Sequence, residues 1–346
     1  MASSITLIKM PEVVLNKIMN ESDLKSILIL RKVCHSLRTF VDTHDSGPNL
    51  IDLNIYIKPN EIEAWYYTRN GLHVVHYRGR NQENNCVFLH ENKEKVLRDM
   101  NFVDAFLLDL EIFISLQNSV MRQFRVTRGN ADPFQTVKDV NLSLFNRILK
   151  ALENVLKKRP RPLQTNEIHL AVEDQEQVLS ILKSIDAKVL KNLSIYSNLK
   201  EEEELEINEI IQMDHWKQAK FLMVEDFILD VPVECLIQFS FVRAVLKTIS
   251  TKDLMVSKEN ILQSSIFKEF SLTYTQLEDE SEISSVLGEP IITTDIFGRQ
   301  DFKWIIDSPV NCQKVEITHF QTHRQFKITN IESLEDKVKR MAQERS

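Results

Sequence analysis

Residues 206–227, EINEIIQMDHWKQAKFLMVEDF, decide the fold. In EINEIIQMDHWKQAK the apolar residues Ile207, Ile210, Ile211 and Trp216 fall on one side, so an amphipathic helix is expected. Lys220-Phe221-Leu222-Met223 then reads as a short strand. Similar strand-like segments recur at Glu167-Ile168-His169-Leu170, Asn192-Leu193-Ser194-Ile195, Ala244-Val245-Leu246 and Glu269-Phe270-Ser271-Leu272. With Leu170, Ile195, Met223, Leu246 and Leu272 as markers, the separations are 25, 28, 23 and 26 residues. A second amphipathic helix, EQVLSILKSID, with Val178, Leu179 and Leu182 apolar, fills one interval. Strands joined through helices lie parallel, and a period of about 20–29 residues is that of leucine-rich repeats. The expected class is α/β, an irregular leucine-rich-repeat-like stack; an ordinary α/β domain with helical crossovers is the alternative.

Upstream, Leu142, Phe145, Ile148, Leu149, Leu152 and Leu156 share a helical face that stops at Pro160. The basic end Lys157-Lys158-Arg159-Pro160-Arg161 resembles a short nuclear-import patch, though basic residues also collect at the negative end of a helix. Asp132-Pro133-Phe134 marks a loop before it. Further upstream, LIDLNIYI, WYYT, LHVVHYRG and CVFLH read as strands of a small antiparallel sheet. Downstream, FKWIID, KVEITHF and QFKITNI alternate as strands before a charged helical tail, SLEDKVKRMAQERS.

The 346 residues suffice for two domains. With 43 Lys+Arg against 50 Asp+Glu, the balance does not suggest nucleic acid or an anionic membrane as partner, and protein partners are expected instead. No apolar run is long enough to span a bilayer, and MASSITLIKMPEVV lacks the basic and apolar regions of a signal peptide. Cys34, Cys86, Cys235 and Cys312 form no CxxC pair, which fits a reducing cytoplasmic or nuclear setting without a zinc site. Six glycines leave no phosphate-cradling loop, so no nucleotide cofactor is expected.

The N-terminal segment carries the sharpest signal. Met10-Pro11-Glu12 starts a helix whose face holds Val14, Leu15, Ile18 and Met19. Ser22 or Ser26 is available to cap a second helix, and Leu30, Val33, Leu37 and Phe40 or Val41 continue at helical spacing through LRKVCHSLRTFVD. So small a unit of three helices buries little by itself and is expected to pack against another protein. Leu7, Met10, Pro11, Glu12, Ile18, Leu30, Val33 and Cys34 resemble the F-box motif, especially its nematode version. Ser22 stands where a leucine is usual, Ser26 where an acid is usual, and Leu37 where many members carry tryptophan.

Further along, HWKQAKFLMVEDF, EIHLAVEDQEQVLSILKSID and VSKENILQSSIFKEFSLTY resemble the FTH domain that follows the F-box in a large nematode group. The resemblance divides the chain into an F-box at 4–44, a β-rich connecting segment at 45–125, an FTH domain at 126–290, and C-terminal strands with the tail at 291–346. It implies a non-catalytic subunit of a Skp-cullin-F-box ubiquitin ligase. The F-box would bind a Skp-family adaptor, linked to a cullin and a RING subunit, and the FTH domain a protein substrate. Candidate adaptor-binding residues are Leu7, Met10, Pro11, Val14, Leu15, Ile18, Leu30, Val33, Cys34 and Leu37; the sequence does not divide them between interface and the segment's own packing. The alternative function is a scaffold that binds the adaptor or other partners without promoting ubiquitination. No catalytic, metal or cofactor residues are implied, and no substrate-binding residue is assigned.

Other candidates have simpler explanations. His73 and His76, three apart in a strand, point to opposite faces and make no metal pair. Trp65, Tyr66, Tyr67 and Trp216 are expected in cores, and Glu201 to Glu204 on a solvated surface.

Overall fold

The computed structural model describes residues 7, 10–22, 24–43, 50–80, 84–91, 93–129, 142–197, 203–294, 297–308 and 314–331. The chain divides into two compact units, residues 1–171 with 176–190, and residues 172–175 with 191–346.

The first unit opens with helices α1 (Glu12–Glu21), α2 (Leu24–Val33) and α3 (His35–Thr43). Pro11 immediately precedes α1 with φ −55° and ψ 146°, a geometry that proline's ring favours. Neither expected serine is the N-cap of α2. Ser22 is the C-cap of α1, its hydroxyl donating to the Ile18 carbonyl at 2.6 Å, and Ser26 lies inside α2. Strands β1 (Asp52–Lys58), β2 (Glu61–Thr68), β3 (Gly71–Gly79) and β4 (Cys86–His90) form the expected antiparallel ladder, and β5 (Lys93–Leu97), which the sequence reading did not assign, extends it beside β4. Gly71 closes the β2–β3 turn at φ 128°, a conformation that favours glycine.

The free edge of that ladder is extended. After α4 (Phe102–Leu116), β6 (Met121–Arg128) pairs parallel to β1, and after α5 (Leu142–Lys157), β7 (Thr165–Ala171) pairs parallel to β6. α6 (Gln175–Leu182) follows with Val178, Leu179 and Leu182 buried as expected. β1 is therefore an interior strand. Asp52 and Asn54 on its polar face are buried alongside Leu53, Ile55 and Ile57, and are satisfied by Arg122 and Gln123 of β6. α4 is capped by Asn101, which accepts the Asp104 N–H at 2.9 Å, and its Phe106 and Phe113 pack against Tyr77 and Tyr66.

In the second unit β8 (Asn192–Tyr196), β10 (Phe221–Leu229), β11 (Phe241–Ile249) and β12 (Glu269–Leu277) pair parallel in that order. The two-residue β9 (Glu203–Glu204) pairs with β10, and α7 (Asp214–Gln218) precedes β10. α8 (Thr251–Gln263) crosses from β11 to β12, and α9 (Ile283–Leu287) follows β12. β13 (Ile291–Thr294), β14 (Gln300–Asp307), β15 (Lys314–Phe320) and β16 (Gln325–Ile331) are antiparallel, with β16 joining β12. The expected tail helix lies outside the described residues.

Two sequence expectations need correction here. The helix over 206–220 is interrupted: a 3-10 turn covers Ile210–Gln212, Met213 is extended, and only Asp214–Gln218 is α-helical. Trp216 is anchored in the core, its indole N–H donating to the Cys235 carbonyl at 3.1 Å and its ring meeting Phe239 edge-on, so tertiary packing overrides the local period. The Met223 marker is also one residue out of phase. Leu222 and Val224 are the buried residues in register with Leu193 and Ile195, and adjacent strand residues face opposite ways.

Candidate protein-interaction surface

The packing of α1, α2 and α3 divides the residues that periodicity alone leaves together. Met19, Ile27 and Val41 form a buried cluster with Leu116 of α4, and Leu30, Phe40 and Ile112 pack against it. Leu37 is buried as well. Arg31 of α2 donates from Nε to Asp42 of α3 at 2.7 Å, tying the two helices across their outer side. Pro11, Val14 and Val33 are exposed, while Leu7, Met10, Leu15, Ile18, Leu30 and Cys34 are half-buried. Val13 and Ile29, which the motif does not mark, are exposed too, Val13 at 79%. The helices thus fill their interior with one set of apolar side chains and present another to solvent.

The remaining candidates separate as their strand positions require. Tyr66 is buried against Phe113 with ring centroids 4.3 Å apart, while Trp65 lies on the opposite face against Tyr56 at 5.3 Å. His73 and His76 also point to opposite faces, His76 meeting Glu61 at 2.6 Å while His73 lies beside His90. In the basic run, Lys158 pairs with Glu111 at 2.7 Å and Arg159 donates from Nη2 to the Gln117 carbonyl at 2.7 Å. Burial holds the Arg159 guanidinium below its usual pKa. Glu204 pairs with Lys247 at 2.9 Å, and Glu201 and Glu202 lie outside the described residues.

One cavity, about 260 Å³, gathers titratable groups from several elements. Lys32 of α2, Tyr66 of β2, Tyr77 of β3, His90 of β4 and Asp109 of α4 are among its lining residues. The Tyr77 hydroxyl donates to Asp109 Oδ2 at 2.8 Å, and burial raises the Asp109 carboxyl above the ordinary carboxylate range despite that bond and the nearby Lys32. No serine, threonine or cysteine is among the residues lining it. No helix among the described residues is long and apolar enough to cross a membrane.

Residues 7–49, which contain α1 to α3, match the F-box domain. That places the chain in a class of protein-interaction adaptors: F-box domains typically bind Skp-family proteins, and the proteins carrying them are generally non-catalytic. Residues 146–291, from within α5 to the start of β13, match the FTH domain, and the chain belongs to the family that joins an F-box to an FTH domain. No curated protein matches the sequence.

Proposed function

We propose that this chain is the substrate-recruiting subunit of a Skp-cullin-F-box ubiquitin ligase, acting in the cytoplasm, the nucleus or both. Residues 4–44 hold the Skp-family adaptor, residues 45–125 connect, residues 126–290 hold a protein substrate through a leucine-rich-repeat-like α/β arrangement, and residues 291–346 close the chain. The observation that carries the reading is the apolar surface left open on an F-box whose interior is already filled. Val13, Val14, Ile29 and Val33 are exposed by 79%, 41%, 54% and 62%, four large apolar side chains on two short helices, and a concentration of exposed apolar surface is what a protein partner covers. Pro11, Val14 and Val33 are the proposed primary contacts. Leu7, Met10, Leu15, Ile18, Leu30 and Cys34 support them from half-buried positions, and Leu37 serves the module's own packing. The parallel set β8, β10, β11 and β12 supports the repeat-like reading of the substrate-binding region.

Co-expression of the full chain with a Skp-family adaptor tests the first step. The wild type should be recovered with the adaptor, and Val14→Asp/Val33→Asp should lose it at an unchanged melting temperature, because surface substitutions usually move stability by no more than about 0.5 kcal/mol. Equal recovery of the two proteins, or none with the wild type, defeats the adaptor assignment. Adding cullin and the RING subunit tests the second step: adaptor captured without cullin identifies a scaffold instead of a ligase subunit.

A further inference from the structure

The cavity beside α2 has a polar rim that the adaptor reading does not use. Val75 of β3 stands opposite His90 of β4, and His73 lies two residues from Val75 on the same face. The His73 and His90 rings are therefore neighbours, 5.8 Å apart between centroids. Glu91 follows directly in a left-handed conformation, φ 47°, which turns its side chain back so that Oε1 lies 4.0 Å from His90 Nε2. One possible ligand atom from each of the three residues lies within 4.8 Å of the other two. His73 Nε2 is itself buried with no hydrogen-bond partner, an uncommon and unfavourable state for a polar atom. Both histidines line the cavity of about 260 Å³.

We propose that His73, His90 and Glu91 form a three-ligand site for a zinc-like divalent cation, with a fourth coordination position opening into the cavity. Two imidazoles and one carboxylate suit zinc better than calcium or magnesium, which prefer oxygen ligands throughout. Bonds of about 2.0–2.2 Å require the three atoms to draw together. Glu91, whose side chain is 52% exposed, has room to make that movement. A bound cation would occupy the bare nitrogen of His73 and clip the β3–β4 pair to the turn that follows it.

A second trio, Glu61, Glu63 and His76, meets the same distance test on the opposite face of the sheet. Its carboxylates already have partners. Arg78 donates to Glu61 at 3.0 Å, Lys58 pairs with Glu63, the Trp65 indole N–H donates to Glu63, and His76 meets Glu61. A cation there would have to displace two basic side chains, so this trio serves as the control.

The test uses the full chain, stripped with a chelator and titrated with Zn²⁺ against a chromophoric competitor. The wild type should take up one equivalent with a rise in melting temperature. His73→Asn, His90→Asn and Glu91→Gln should each weaken binding tenfold or more, whereas His76→Asn should leave it unchanged. Circular dichroism and melting of the metal-free variants identify any that fail to fold, and Glu91→Gln, on the surface, keeps the test available if a histidine variant does so. Absence of stoichiometric binding by the wild type, or wild-type affinity in Glu91→Gln, overturns the site. Neither result bears on adaptor capture, which depends on the exposed valines of α1 and α2.

Discussion

His169 of β7 stands opposite Arg125 of β6 in the parallel register. Its side chain is only 14% exposed, and burial, followed by the charge of Arg125, pushes the imidazole pKa down to about 4. His319, stacked on Phe326 and hydrogen-bonded to the Tyr274 hydroxyl at 2.7 Å, is also lowered, again chiefly by burial. A depressed histidine is neutral in the folded chain at a pH where the unfolded chain protonates it. The unfolded state therefore binds more protons below about pH 6.5, and stability rises with pH through that window. For His169 the stabilisation is complete above about pH 6.5 and falls progressively toward pH 4, by about 3 kcal/mol in all. Denaturant midpoints measured across that range should drop, and His169→Gln should remove part of the slope. An identical pH profile in the variant would show that the imidazole is protonated as easily folded as unfolded.

At the scale of elements, the most legible features were those announced by local chemistry. α5 covers the apolar face read from Leu142 to Leu156, with Phe145, Ile148, Leu149, Leu152 and Leu156 buried but Leu142, in the first turn, exposed, and the C-terminal strands follow their alternation. α8, which the sequence reading did not assign, carries a comparable local signal in a reciprocal cap: the Ser250 hydroxyl accepts the Asp253 N–H at 3.2 Å while Asp253 accepts the Ser250 N–H at 2.8 Å. Ser250→Ala should cost about 1 kcal/mol of stability by chemical denaturation. A loss within experimental error would mean that water replaces the cap without penalty. α4 and β6 were missed for physical reasons. FVDAFLLDLEIFISL is apolar on more than one side because α4 is packed against the sheet and against the N-terminal helices, which blurs the one-sided helical pattern. MRQFRVTR carries three arginines, and its place in the sheet comes from parallel pairing with strands distant in sequence. In β10 the register shifts between Met223 and Ile228, with Asp226 at φ 64°, so a fixed spacing of marker residues could not carry through. The exposed valines of the F-box were legible as apolar positions, but only the packing of α1 to α3 separates Val33 from Leu37. His90 entered the candidate metal site by strand pairing, which the sequence does not display, whereas the placement of His73 and His76 on opposite faces followed from their spacing in a strand.

For the molecule as a whole, the proposed role makes a chemical demand that the cysteines can test. A subunit that only holds its substrate near a charged conjugating enzyme transfers nothing through itself, whereas a relay requires a thiolate that accepts ubiquitin as a thioester. Reactivity of that kind needs an accessible thiol with a favourable pKa. Cys86 is fully buried and burial pushes its thiol up to about 11, the reverse of activation. Cys235 is also raised, mainly by burial, and Cys34 lies half-buried within the proposed docking module. Cys312 lies outside the described residues and is covered by a serine substitution. When the chain, adaptor, cullin and RING subunit are mixed with a ubiquitin-charged conjugating enzyme, every ubiquitin adduct on the chain should survive reductant, as an isopeptide bond does. Cys312→Ser should leave the yield and pattern unchanged. An adduct that disappears with reductant and with one cysteine substitution would make the chain a covalent carrier, and the assignment as a non-catalytic recruiter would fall even if adaptor binding held.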